Sequence, residues 1–311
     1  MSEDIATREA YGLALKDLGA VNDKVVVLDA DLSGSTKTSN FAQAYPDRFF
    51  DMGIAETNMT NVAAGMAACG KIPFISTFAV FGTGRNYDAV RQSICYPNLN
   101  VKIACTHAGL TVGEDGATHQ SLEDISLMNG LPNMTVFVPA DAVEARAAVF
   151  EAAKIDGPVY LRFSRGKTPV IYPEDHVFIP GKADVLRDGH NVAIFACGVM
   201  VSEALKAAEL LYGQGVSAAV INVSTIKPLD KETVVRYAQK CGNVITCEEH
   251  SIYGGLNAVI CQTLAEECPT PVRAVAVNDV FGQSGKPDQL MSHYHLTAMD
   301  IAKKYKEFGE K

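Results

Sequence analysis

The chain has 311 residues, 48% of them apolar and 20% charged, which suits a water-soluble globular protein with a substantial core. A formal net charge of −9 argues against nucleic acid and anionic membrane as partners. No apolar run approaches the roughly 18 residues of a membrane span, and the opening MSEDIATREAYG has no signal-peptide pattern, so a cytoplasmic address is expected.

Length sets a prior of about two domains. In chain order, the periodicity predicts strands at 25–30, 72–78, 100–106, 134–139 and 158–163. Between them fall amphipathic helices at 56–69, stopped by Gly70, and at 141–154, where Asp141 suits an N-cap. Strands separated by helix-length segments imply parallel βαβ units. Periodicity stops between 164 and 190, a stretch with three prolines that reads as an ordered linker passing over the surface. It resumes with strands at 191–198, 216–223, 242–249 and 271–278 and helices at 201–215 and from about 255. The predicted organisation is therefore two doubly wound α/β domains, 1–165 and 191–311, joined by 166–190.

Eight cysteines include no C-x-x-C pair, and several lie in apolar runs, so they read as small core residues. His293 and His295 have no carboxylate or thiol grouping around them to suggest a metal site. There is no G-x-x-x-x-G-K-[ST], no strand-borne G-x-G-x-x-G and no G-x-S-x-G. What remains is polar sequence just after predicted strands, the edge where open α/β sheets bind ligands. Four places stand out: 29-DADLSGSTKTSN-40, 51-DMGIAETNM-59, 76-STFAVFGTGRNYD-88 and 107-HAGLTVGEDGATHQ-120. The last is the most unusual. Connections in α/β units usually run about 2–6 residues, and this one is far longer and carries two histidines.

Taken in order, GIAE at 53–56, TFxxF at 77–81, HAGLTVGEDGATHQ at 107–120 and PADxxE at 139–144 resemble the C-terminal half of transketolase. The likeness is strongest to the separate small subunit of split transketolases, and it covers nearly the whole chain. It implies a pyrimidine-binding domain followed by a transketolase-type C-terminal domain. It also implies thiamine diphosphate as the electron sink for moving a two-carbon ketol unit from a ketose phosphate to an aldose phosphate. The cofactor carries the organic chemistry, and the protein supplies orientation and proton management.

The resemblance assigns roles position by position. Glu56 would hydrogen-bond the cofactor's pyrimidine N1′ and share a proton with it. Phe78 and Phe81 would pack against that ring. Gly84 stands where a tyrosine is usual, with Tyr87 as a nearby substitute. His107, Asp115 and His119 would contact the sugar, the histidines being suited to proton exchange near neutral pH. Arg8, Ser35 and Arg165 would hold the sugar phosphate, Arg165 being chosen over Arg162, with Lys37 and Lys167 close by in sequence. Asp31 would position cofactor-side groups across a subunit contact.

The family's metal and diphosphate motif, G-D-G followed by an asparagine, is absent. The resemblance therefore implies a partner, an N-terminal subunit bearing that motif and holding Mg²⁺ or Ca²⁺, in an α₂β₂ assembly. It would dock on an apolar surface of the first domain. The second domain, including 248-EEHSIYGG-255, is expected to serve packing. Two related readings stay open: the beta subunit of a 2-oxo acid dehydrogenase, and a deoxyxylulose-phosphate-synthase-like half.

Overall fold

The computed structural model describes residues 4–309, and its core strands are short and buried from end to end. The strands are Val25–Asp29 (β1), Phe49–Asp51 (β2), Ile72–Ser76 (β3), Lys102–Cys105 (β4), Thr135–Phe137 (β5) and Val159–Arg162 (β6). The second half of the chain adds Asp184–Arg187 (β7), Val192–Ala196 (β8), Ala218–Asn222 (β9), Thr225–Lys227 (β10), Val244–Ser251 (β11) and Val272–Val277 (β12). Every residue of β1, β4, β6, β8 and β9 is buried. That is why these segments read as continuous apolar runs: helices cover both faces of a parallel sheet.

The first sheet has the order β10-β5-β6-β4-β3-β1-β2, parallel except for β10. The second has the order β12-β11-β8-β9-β7, parallel except for β7. The expected α/β architecture of two doubly wound sheets is present. Beside β1 the winding of the first sheet reverses, with β2 on one side and β3 and β4 on the other. Loops after β1 and β3 therefore part at their carboxyl ends, the position where open α/β sheets bind ligands.

The two sheets are not insulated from each other. One apolar cluster runs from Val26, Leu28 and Ile75 under the first sheet, through Val136 and Val138, to Phe195 and Ile221 of the second. Strand β10 lies after β9 in the chain yet crosses back to pair with β5, Thr225 opposite Phe137. The interval 166–190, predicted as a linker, is ordered by two pairings: Lys167–Thr168 against Ile5–Ala6, and β7 against β9.

The PADxxE segment pins this seam. Asp141 caps the Ala142–Lys154 helix as expected, one oxygen accepting from the Glu144 amide at 2.8 Å. Its other oxygen accepts from the amides of Ile171 and Tyr172 at 2.6 and 2.8 Å, so it also anchors the interdomain stretch. Glu144 is fully buried, accepts from the Ala140 amide and from Asn222 Nδ2 of β9, and is pushed up to about 7 by burial. A helix cap contributes about 1 kcal/mol and each buried amide left unpaired costs about 1–3 kcal/mol. Asp141→Ala should therefore lower unfolding free energy by roughly 2–4 kcal/mol in urea titration. A loss below about 1 kcal/mol would show that the anchor is redundant.

Candidate active site

The polar segments singled out in the sequence converge on the carboxyl edge of the first sheet. Glu56 opens the helix Glu56–Ala68 after β2 and is only 3% exposed. Phe78 and Phe81 follow β3, with ring centroids 6.0 Å apart and planes 14° from parallel. His107 follows β4. A bridge between Phe78 and Thr106 prolongs the pairing of β3 and β4, and this sets the His107 ring on Phe78 with centroids 3.8 Å apart. His119, at the far end of the same loop, stands edge-on to both phenylalanines, at 6.1 and 5.5 Å. Offset and edge-on pairs of this kind are worth about 0.5–1.5 kcal/mol each, so the aromatic platform stiffens itself.

His107 has the least ordinary environment. Its backbone is left-handed at φ 58°, a conformation that costs a non-glycine residue on the order of 1–3 kcal/mol and clusters at functional sites. Its Nε2 lies 3.3 Å from Nη1 of Arg8, and its Nδ1 lies 2.8 Å from the Thr106 hydroxyl. A guanidinium only donates, so Nε2 accepts and the proton resides on Nδ1. Burial, then the charges of Arg8, Arg165, His119 and Lys37, drive the imidazole down to about 3. In this arrangement His107 stands as a neutral acceptor crowded by cations.

Those cations form the second feature of the site. Arg8 donates to the Ser35 carbonyl at 2.9 Å, while its buried Nε has no partner. Burial draws Arg8 below its ordinary value, with Glu9 opposing and Arg165 reinforcing. Arg165 bonds the Val112 carbonyl and pairs with Glu114 at 3.2 Å. Lys37 pairs with Glu9 at 3.0 Å. A cluster of guanidinium forks with an unfilled donor suits an anionic oxygen group.

Other predicted residues stand differently. Ser35 meets Arg8 through its main-chain carbonyl rather than its hydroxyl. Asp115 is exposed at the end of the turn Leu110–Asp115. Asp31 is exposed with φ 60°, and its amide donates to Asp51. Arg162 is buried against Asp124 at 2.7 Å, away from solvent. Tyr87 packs against the core, and a Cβ on Gly84 would meet nothing within 4 Å.

Two further residues support the site. Asp29, wholly buried at the end of β1, accepts from the Leu32 amide and the hydroxyls of Thr36 and Thr38 at 2.6–2.8 Å, which fixes the loop carrying Asp31 and Ser35. Arg85, 57% exposed, pairs with Glu56 at 3.3 Å and lies over the Phe81 ring at 5.3 Å. It ends a wide helical turn, Val80–Arg85, of the π type that favours functional positions. No short motif marks such a turn.

Comparison with known proteins places these observations. Residues 3–170 match the family model described as transketolase, pyrimidine binding domain, and residues 181–301 match transketolase, C-terminal domain. The chain is 45% identical over 303 residues to a transketolase C-terminal section of Methanocaldococcus jannaschii, covering 96% of this chain and 95% of that one. It is 44% identical over 304 residues to the 6-deoxy-6-sulfo-D-fructose transketolase subunit SqwH of Clostridium sp. strain MSTE9, covering 98% and 94%. Among solved structures it is similar to a split gene transketolase described as an inactive beta4 tetramer, with TM-score 0.91, 52% identity and 98% coverage of both chains.

The depressed His107 has a measurable consequence. A neutral buried histidine supplies stability that is complete above the ordinary value of 6.5 and is lost as pH falls toward about 3. Chemical shifts of the His107 ring should show a neutral, Nδ1-protonated imidazole at pH 5. His107→Asn, which tolerates the left-handed backbone, should flatten the acid limb of a melting-temperature profile. An imidazole that titrates near 6.5 would contradict this electrostatic picture.

Proposed function

Because the chain belongs to the transketolase family, we propose that it is the pyrimidine-binding subunit of a split transketolase, a transferase of two-carbon ketol units between sugar phosphates. The single observation that carries the reading is a buried carboxyl, Glu56, that shares Arg85 with the ring of Phe81, which with Phe78 and His107 makes a stacked wall at the sheet's carboxyl edge.

The residues present fit one end of thiamine diphosphate. Phe78 and Phe81 offer flat apolar faces to an aminopyrimidine, and Glu56 offers a carboxyl at their margin for the ring nitrogen N1′. They do not fit the other end. Among the described residues, the one group of three metal-donor side chains is Glu144, His176 and Asp184, and none of them belongs to this site. The diphosphate and its Mg²⁺ or Ca²⁺ are therefore assigned to an N-terminal subunit. The 52% identical split transketolase described as an inactive β₄ tetramer supports that need. Ile54, 77% exposed and two residues before Glu56, offers the partner an apolar contact.

When bound, the cofactor supplies the electron sink for breaking and forming the carbon–carbon bond. The chain's own groups do the rest. Glu56 would share a proton with the ring nitrogen N1′. His107 presents Nε2 as a neutral acceptor and, with His119 and Asp115, orients the sugar's hydroxyls. A site built to bond a hydroxyl strongly rejects analogues that lack it. Arg8 and Arg165, with Lys37 nearby, neutralise the anionic tail. The aromatic platform keeps water from the reacting centre.

A sulfonated sugar is the second reading. The 44% identical subunit is named for 6-deoxy-6-sulfo-D-fructose, and a sulfonate presents the same oxygen face to the guanidinium cluster.

Glu56→Gln should cut turnover of the reconstituted pair by on the order of 10²–10⁴-fold with an unchanged melting temperature. Near-normal turnover would refute the role. A donor screen of ketose phosphates against 6-sulfo ketoses should favour the phosphates, and exclusive use of the sulfonate would select the second reading. Arg85→Ala should leave turnover within about tenfold, because its side chain is 57% exposed and an ion pair so open to solvent is worth little.

A further inference from the structure

The second sheet reaches into the histidine loop through one side chain. Glu249, in β11, is fully buried, and its Oε1 accepts from the Thr111 amide, the first turn beyond His107. The loop is shaped around this carboxyl. Gly109 has φ 80°, and a Cβ there would lie 2.3 Å from the Glu249 carboxyl carbon, so a side chain is excluded by both backbone and space. The remaining oxygen, Oε2, has no hydrogen-bond partner although it is wholly enclosed. The loop has other supports: Gly109 bonds the Ser121 carbonyl, Gln120 donates to Leu110, Gly113 and Gln283, and Arg165 of the first domain bonds the Val112 carbonyl and pairs with Glu114.

We propose that Glu249 is a positioning residue: its carboxyl, supplied by the second domain, seats the 107–120 loop and so sets where His107 and His119 stand. The seating does not depend on the reaction proposed above, whereas its catalytic meaning does.

The surroundings give the seat a pH dependence. Burial lifts the Glu249 carboxyl to about 7, against the opposing Arg162 charge and the bonds from Thr111, with Asp124 adding to the rise. Arg162 comes from β6, Asp124 from the helix Asp124–Asn129, and Glu248 and His250 flank Glu249 on its own strand. The folded value lies above the ordinary 4.5, so this group's contribution is complete below 4.5 and is lost as pH rises through about 7. The loop should loosen on the alkaline side.

Amide hydrogen exchange of the free, full-length chain, with neither cofactor nor sugar present, tests the proposal separately from the reaction. Wild type should show a protection factor at Thr111, taken against the intrinsic rate at each pH, that falls through a transition centred near 7, together with movement of the His119 ring signals. Glu249→Gln keeps an acceptor for the amide and removes the titration. It should retain slow exchange and abolish the transition. Glu249→Ala should raise exchange of 107–120 by about tenfold on the acid side of that transition, as expected for losing one buried hydrogen bond. Unchanged exchange in the alanine variant, or a transition that survives in the glutamine variant, overturns the proposal. If the alanine variant does not fold, the glutamine variant alone decides. Ketol transfer that fails while this transition is present would count against the function and leave the seat standing.

Discussion

The Arg162–Asp124 pair holds the two halves of this molecule in register. Arg162, at the end of β6, donates from Nε to Asp124 at 2.7 Å and from Nη2 to the Glu249 carbonyl at 2.9 Å. Tyr160 adds its hydroxyl to Asp124 at 2.6 Å. Burial alone would raise the Asp124 carboxyl. The charges of Arg162 and His250 and the bonds it accepts outweigh burial and hold it below the usual range. One guanidinium thereby fastens a strand of the first sheet, a helix after the histidine loop and a strand of the second sheet. Buried pairs are not net stabilisers as a class, but removing one partner costs about 3–5 kcal/mol because a charge is stranded. The role of this pair is to fix geometry.

From that fixed base the site follows in sequence. The strand ends deliver Glu56, Phe78 and His107 at a point where the sheet's winding reverses. The extension of β3 and β4 beyond their regular pairing stacks His107 on Phe78. Cations then crowd the imidazole and keep it neutral. The result is a preorganised wall of fixed dipoles and guanidinium forks, which supports the proposed reading of a polyol with an anionic tail.

Much of this was legible in the sequence where burial writes a long signal. β1, β3, β4, β6 and β8 are apolar on both faces and announced themselves, and Asp141 announced its helix. Two of the shortest strands did not: β2 and β10 are too short for periodicity, and β10 belongs to a sheet built by the other half of the chain, which no local pattern encodes. The ordered pairings inside 166–190 were hidden for the same reason. At the site, the resemblance supplied Glu56, the phenylalanines and the histidines. It did not supply Arg85, whose contact with Glu56 depends on a wide turn, or Glu249, which acts across a domain seam. Nor did it supply the protonation state of His107, a sum over neighbours distant in sequence.

The central claim is that this chain provides the pyrimidine half of a cofactor site that another polypeptide completes. Calorimetric titration of thiamine diphosphate, with Mg²⁺, into this chain, into a diphosphate-binding partner and into their mixture tests it directly. Saturable binding is expected only in the mixture, and it should weaken markedly when the mixture carries Glu56→Gln. Equal binding by this chain alone, or no binding by the mixture, would contradict the account.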